Sequence, residues 1–160
     1  MVHNKEECAA MDRFMEAAYK EALRGLSKKH GGPFGAVIVK DGAMVAKGHN
    51  EVLRRCDPSA HAEIMTIRKA CKILGKVDLG DCVLFSTSKP CPMCKGAIQW
   101  SRLRKVYFSG DYDDTGKLDF GDSSFSDAFD SEDKSWIQIE RESFGMIIDA
   151  FEKYRGTIRY

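Results

Sequence analysis

The middle of the sequence alternates between helical and strand patterns. HAEIMTIRKACKIL (residues 61–74) and CPMCKGAIQW (91–100) have the apolar spacing of helices, whereas CVLFST (82–87) and RKVYFS (104–109) are short β-rich runs. Strands that alternate with helices usually pair in parallel through crossover connections. The alternation therefore predicts an α/β layer structure.

The flanking segments extend this pattern. FGAVIVK and AMVAKGHN are separated by Asp41-Gly42, the strongest short-range signal for a β-hairpin. Residues 5–26 space their apolar side chains as one helix face, WIQIE (136–140) predicts a last strand, and 144–155 a last helix. Residues 54–59 are predicted to be a loop, with Asp57 or Ser59 capping the next helix.

Length and charge limit the class of protein. The chain has 160 residues and a net charge of +1, without the basic excess of a protein that binds mainly through phosphate contacts. No apolar run approaches the roughly 20 residues of a membrane-spanning helix, and the N-terminal residues lack a secretory-signal pattern. We expect a soluble, cytoplasmic protein with a single domain over residues 1–160.

Acidic residues are concentrated in one segment. Residues 111–134 contain eight Asp and one Glu against two Lys, a net charge of −7 that leaves +8 on the rest of the chain. Such a segment repels phosphate. We therefore do not expect nucleic acid as a partner there.

The cysteines fall into two groups. Cys8, Cys56, Cys71 and Cys82 are isolated and are predicted to be small buried side chains. The other two, Cys91 and Cys94, form a Cys-x-x-Cys pair at a predicted helix start, where the helix N-terminus favours thiolates.

His61 supplies a third potential ligand for a metal ion. Two Cys and one His are ligands that zinc prefers, and three protein ligands leave a fourth position open for water, as in catalytic zinc sites. Glu63, two residues after His61, is placed to carry protons to and from that water.

Two other interpretations remain for this group. The Cys-x-x-Cys pair could be a redox pair, or half of a structural zinc site completed by Cys56 or Cys82. Glu63 argues against a purely structural site, because such a site needs no carboxylate beside an open position. His-x-Glu followed by Pro-Cys-x-x-Cys is the pattern of zinc nucleobase deaminases.

The sequence resembles the cytidine deaminase-like superfamily of zinc hydrolases, and within it the small bacterial-type guanine deaminases and plant guanosine deaminases. The resemblance is carried by GPFGAVIV (32–39), DPSAHAE (57–63), and PCPMC (90–94) with the following GAI and Trp100. It implies a three-layer α/β/α fold with a mixed five-stranded central sheet, a homodimer, and one Zn²⁺ per chain at His61, Cys91 and Cys94.

The resemblance also implies a purine pocket. Phe34 would stack on the base, Asn50 would hydrogen-bond to it, and Trp100 would form a wall, with Ala62 in the same substrate-binding set. Tyr160 ends the chain as a tyrosine does in these proteins. The resemblance therefore predicts that residues 152–160 form a C-terminal lid over the pocket, either of the same subunit or, by exchange of this element, of the partner subunit.

The sequence departs from the family pattern at several positions. Lys89 stands where Glu is common, and Lys95 where a small or apolar residue is usual. The family's acidic motif after Gly110 fits only with an offset, which makes Asp122 the candidate second catalytic carboxylate and Asp119 its competitor.

The predicted activity is zinc-dependent hydrolytic deamination of a free purine base, with guanine converted to xanthine and ammonia. Guanosine, cytosine and tRNA adenosine deamination are alternatives within the same chemistry, and HAEIM (61–65) is similar to the tRNA enzymes. A zinc-stabilised binding module without catalysis is the alternative outside it.

Overall fold

A mixed five-stranded sheet forms the centre of the fold. The computed structural model describes residues 5–111, 114, 136–138 and 142–153. The strands are β1 (Gly35–Lys40), β2 (Ala43–His49), β3 (Cys82–Ser88), β4 (Lys105–Gly110) and β5 (Trp136–Gln138). They are ordered β2-β1-β3-β4-β5. β1 is antiparallel to β2 and β3, whereas β3, β4 and β5 are mutually parallel, which confirms the mixed sheet.

The hairpin between β1 and β2 turns at the predicted dipeptide. Asp41 and Gly42 both have positive φ, 50° and 73°. Positive φ at both central residues is the requirement of a type I′ turn, whose twist matches that of the paired strands. The short-range signal was therefore sufficient to place this turn.

Five helices are described, and four of them were predicted. They are α1 (Lys5–Ser27), α2 (Val52–Arg55), α3 (Ala62–Leu74), α4 (Pro92–Trp100) and α5 (Glu142–Glu152). The prediction of a loop over 54–59 was wrong at its first two residues, because α2 is a single turn that includes Arg54 and Arg55. None of the helices in this part of the chain is long and apolar enough to cross a bilayer.

Alternate residues of the strands face two different helical layers. One face of the sheet packs with α1 and α5 through Val37, Phe85 and Tyr107. The other face packs with α3 and α4 through Ile38, Leu84 and Val106. Because strand side chains alternate with a period of two, the apolar runs of β1, β3 and β4 supply both cores. The three-layer α/β/α prediction is confirmed.

The isolated cysteines differ in burial. Cys82 is buried in the core, Cys71 is half-buried, and Cys56 is exposed. The prediction of a buried side chain was wrong for Cys56, because this residue follows α2 in a left-handed conformation at the surface.

Candidate metal centre and catalytic site

Two helix N-termini carry the predicted metal ligands. His61 is the N-cap of α3 and Cys91 is the N-cap of α4, both in extended conformations with φ near −66° and ψ of 158° and 167°. Neither side chain caps its own helix, so both remain available as ligands. Pro92 occupies the first position of α4, where its missing N–H costs nothing.

The loop before α3 is organised by a different contact from the predicted cap. Asp57 Oδ1 accepts hydrogen bonds from the Ser59 N–H at 2.8 Å and from the Ser59 hydroxyl at 2.7 Å. The prediction that Asp57 or Ser59 caps α3 was wrong. This local turn instead leaves the N-cap position to His61.

The three predicted ligands meet at one point. His61 Nδ1 lies 3.6 Å from Cys91 Sγ and 3.7 Å from Cys94 Sγ. A tetrahedral zinc ion with Zn–S of about 2.3 Å and Zn–N of about 2.0 Å separates its nitrogen and sulfur ligands by about 3.5 Å. Both the distances and the donor types therefore fit zinc. Among the described residues this is the group with metal-binding geometry.

The pKa values of the two thiols are shifted in opposite directions. A hydrogen bond from Cys94 lowers the pKa of Cys91 to about 4 against the effect of burial, and His61 lowers it further. The pKa of Cys94 is raised well above its usual value, because its proton is held by the Cys91 sulfur and because its side chain is fully buried. Binding of a metal ion to both sulfurs therefore requires loss of the Cys94 proton.

The side chain of Glu63 is buried beside this cluster. Its side chain is 6% exposed, and Cys94 Sγ is 3.6 Å from its Oε2. Burial and the charge of Cys91 raise the pKa of Glu63. A carboxyl group with a raised pKa can both accept and donate a proton near neutral pH, as a general acid and base must.

Ser86 holds the other oxygen of this carboxyl group. The hydroxyl of Ser86, at 1% exposure on β3, donates to Glu63 Oε1 at 3.1 Å. The contact fixes the carboxyl plane and leaves Oε2 facing the ligands. The sequence analysis did not identify Ser86. The available signal was a polar residue in an apolar strand, two positions after Leu84, on the face that packs with α3.

The predicted base-binding residues Phe34 and Asn50 are adjacent. The Asn50 N–H donates to the Phe34 carbonyl at 3.0 Å. Asn50 Oδ1 accepts from the Val52 N–H at 3.1 Å. The Asn50 side chain is almost fully buried, at 1% exposure. Phe34 is half-buried and packs at the edge of the α3 core.

The other predicted pocket residues have different surroundings. Ala62 is the first residue of α3 and is fully buried beside His61. Trp100 ends α4 and is 89% exposed in the isolated chain. Its predicted role as a pocket wall is not tested by this structure and stays a prediction.

The remaining site predictions lie outside the described residues. Asp122, its competitor Asp119 and Tyr160 are among them, as is the proposed lid apart from Glu152 and Lys153. Their roles stay predictions.

The fold and the site together define a class of protein. A three-layer α/β fold that brings a His and two Cys ligands to two helix N-termini, with a buried glutamate beside them, is the arrangement of a zinc-dependent deaminase. Residues 9–110 match the family described as the cytidine and deoxycytidylate deaminase zinc-binding region. The chain belongs to this family.

Comparisons with individual proteins agree with the family. The chain is 48% identical over 112 residues to a guanine deaminase of Bacillus subtilis (strain 168), which covers 70% of this chain and 72% of that protein. It is 44% identical over 96 residues to a tRNA-specific adenosine deaminase of Aquifex aeolicus (strain VF5). This match covers 60% of this chain and 63% of that protein. The X-ray structure of guanine deaminase from Bacillus subtilis superimposes with a TM-score of 0.71 at 37% identity, over 99% of each chain.

Proposed function

We propose that this protein is a guanine deaminase, which hydrolyses guanine to xanthine and ammonia. The observation that carries the chemistry is the placement of the buried Glu63 carboxyl group, whose Oε2 lies 3.6 Å from a metal-ligand sulfur. The choice of substrate is supported by the similarity to a guanine deaminase over 70% of the chain.

The chain's residues divide the work of hydrolysis. His61, Cys91 and Cys94 would hold the zinc ion, which would supply the Lewis acid that makes water nucleophilic near neutral pH. Glu63 would take one proton from the water that attacks C2 of the base and give it to ring N3. It would then take the second proton from the new hydroxyl group at C2 and give it to the departing amine. One water is consumed, the C–N bond to the amine breaks, and ammonia leaves. Asp122 is the proposed second acid for this poor leaving group.

The pocket would recognise the base through two adjacent residues. The Asn50 NH₂ group donates to an acceptor on the purine edge, and the Phe34 ring stacks on its face. Stacking of a base on an aromatic side chain contributes on the order of 1–3 kcal/mol. Ala62 and Trp100 complete the proposed pocket, and Tyr160 with the C-terminal residues would cover it.

We also propose that the protein is a cytoplasmic homodimer. Trp100 at 89% exposure and Met93 at 40% exposure give α4 apolar side chains beside the site, which a second copy would cover. Free thiols at Cys91 and Cys94 suit a reducing compartment, since zinc binds thiolates and not disulfides. Sedimentation of the wild type and of Trp100→Ala tests the dimer; a monomeric wild type would contradict it.

Deamination of adenosine in tRNA is the second candidate function. It is favoured by the 44% identity to a tRNA-specific adenosine deaminase. The acidic segment 111–134 argues against it, because a net charge of −7 repels the phosphate backbone.

Ammonia release from a substrate panel decides between these functions. The zinc-loaded protein is incubated with guanine, guanosine, cytosine, adenine and tRNA, and Glu63→Gln with equal zinc content serves as the control. We expect the highest kcat/KM with guanine and a rate at least about 100-fold lower in the control. Ammonia from tRNA or cytosine but not from guanine would overturn the proposed substrate, and equal rates in the control would overturn the role of Glu63.

A further inference from the structure

A chain of three titratable side chains, which the mechanism does not use, lies next to the predicted base-binding residues. Glu21 Oε2 on α1 is 3.1 Å from His49 Nδ1 at the end of β2, and His49 Nε2 is 2.9 Å from His30 Nδ1. Glu21 and His49 are buried, at 3% and 4% exposure, and His30 is half-buried.

At the Glu21 end of this row of three side chains, the position of the proton is fixed. Burial raises the pKa of Glu21, but hydrogen bonds from His49 and Lys47 outweigh it and lower the pKa to about 2. Glu21 is therefore an ionised acceptor, and His49 donates to it through Nδ1–H. Burial and the charges of His49 and Arg54 lower the pKa of His30.

The contact between the two histidines requires one proton, not two. With His49 Nδ1–H directed at Glu21, a single proton between His49 Nε2 and His30 Nδ1 makes a hydrogen bond, whichever ring carries it. If both rings are protonated, two N–H groups face each other at 2.9 Å and the contact is lost.

Charged side chains surround both ends of this row of three titratable residues. On the α1 and β2 side, Lys47 Nζ and Arg24 Nη1 lie 3.1 and 3.2 Å from Glu21. On the α2 side, buried Glu51 lies 4.0 Å from His49 Nε2. Arg55 and Arg54 pair with Glu51 at 2.5 and 3.6 Å, and Lys28 lies near His30.

The backbone connects His49 and His30 to the predicted base-binding residues Asn50 and Phe34. His49 directly precedes Asn50, and the His30 carbonyl accepts from the N–H groups of Leu53 and Arg54, each at 3.0 Å. His30 thus joins the segment that contains Phe34 to the segment that follows Asn50.

The packing between these two segments leaves no spare volume. A Cβ at Gly31 would lie 2.1 Å from Asn50 Oδ1, so the backbone after His30 presses directly against the Asn50 side chain. A displacement of His30 therefore displaces Asn50 or the backbone that contacts it.

We propose that Glu21, His49 and His30 form a positioning network that holds Asn50 and Phe34 in the geometry required for base binding. This assignment rests on the proposed function for its substrate, but the network itself is defined by contacts that need no substrate. The three residues are positioning residues, since they act through Asn50 and Phe34.

Two substitutions at His30 distinguish the effect of its hydrogen bond to His49 from the effect of its protonation. His30→Ala removes the bond to His49. His30→Asn places an amide NH₂ close to the position of the imidazole Nδ1, so it keeps a donor to His49 but cannot be protonated. Lys28→Ala is the matched control, because Lys28 is an exposed cation two residues away.

The first readout is amide hydrogen exchange of Asn50, whose N–H is bonded to the Phe34 carbonyl. We expect exchange at least about tenfold faster in His30→Ala than in the wild type, with near wild-type rates in His30→Asn and Lys28→Ala. Equal exchange in all four proteins would overturn the network, whatever the substrate.

The second readout is the KM for guanine with zinc content measured in parallel. We expect a KM about tenfold higher in His30→Ala with kcat within about threefold and unchanged zinc, and recovery of KM in His30→Asn. We expect the wild-type KM to rise more than that of His30→Asn from about pH 7 to about pH 5.

The outcomes distinguish the two proposals. If exchange accelerates in His30→Ala but its KM does not change, the positioning role is overturned. If the wild type deaminates no guanine while the exchange pattern holds, the proposed substrate fails and the network stands.

Discussion

Glu21→Gln gives a test of stability whose magnitude follows from the structure. The pKa of Glu21 is lowered from 4.5 to about 2 in the folded protein, where burial raises it but the His49 and Lys47 contacts outweigh burial. At about 1.4 kcal/mol per pKa unit, ionised Glu21 stabilises the folded state by about 3 kcal/mol at neutral pH. The side chain is 3% exposed, so solvent screens this contribution little.

The pH dependence of this contribution has a definite sign. The folded-state pKa is depressed, so the stabilisation is present above pH 4.5 and is lost as the pH falls toward about 2. We expect Glu21→Gln to lower the free energy of unfolding by about 3 kcal/mol at pH 7 and by about 1.5 kcal/mol at pH 3.

Urea unfolding at fixed protein concentration measures this difference. Glu16→Gln is the matched control on the same helix, since the Glu16–Lys20 pair at 2.6 Å is 64% and 70% exposed. Such exposed pairs contribute about 0.3–0.5 kcal/mol. A loss in Glu21→Gln that equals the control, or that does not shrink between pH 7 and pH 3, would refute the reasoning.

Four further predictions concern the site. Cys94→Ala should abolish stoichiometric zinc by elemental analysis, because two ligands remain; full occupancy would sink the ligand assignment. The apparent zinc affinity of the wild type, measured by competition with a chelator, should rise with pH. The hydrogen bond to Cys91 and burial raise the pKa of Cys94, so zinc binding displaces a proton. An affinity that does not depend on pH would argue that both thiolates are already formed before zinc binds. Trp100→Ala should weaken base binding by on the order of 1–3 kcal/mol, and unchanged kinetics on every accepted substrate would exclude Trp100 from the pocket. Deletion of residues 156–160 should leave zinc content and thermal unfolding nearly unchanged but strongly reduce turnover; full activity would exclude the lid.

Local sequence patterns were sufficient for the elements and the metal ligands. The Asp41-Gly42 turn, the helix start at Pro92 and the helix end at Gly75 each depend on neighbouring residues, and each lies where the sequence predicted it. The ligands His61 and Cys91 could be recognised for the same reason, because the helix N-termini that orient them are encoded within a few residues of each.

Only the tertiary structure decided which side chains meet across the chain. Ser86 contacts Glu63 over 23 positions, and His49 contacts Glu21 over 28, because β1 lies between β2 and β3 and packs on both helical layers. Strand order is set by the joint burial of several segments, and no single window of sequence contains it. The contact of His30 and His49 with each other and of His49 with Glu21 therefore became visible only in the folded chain.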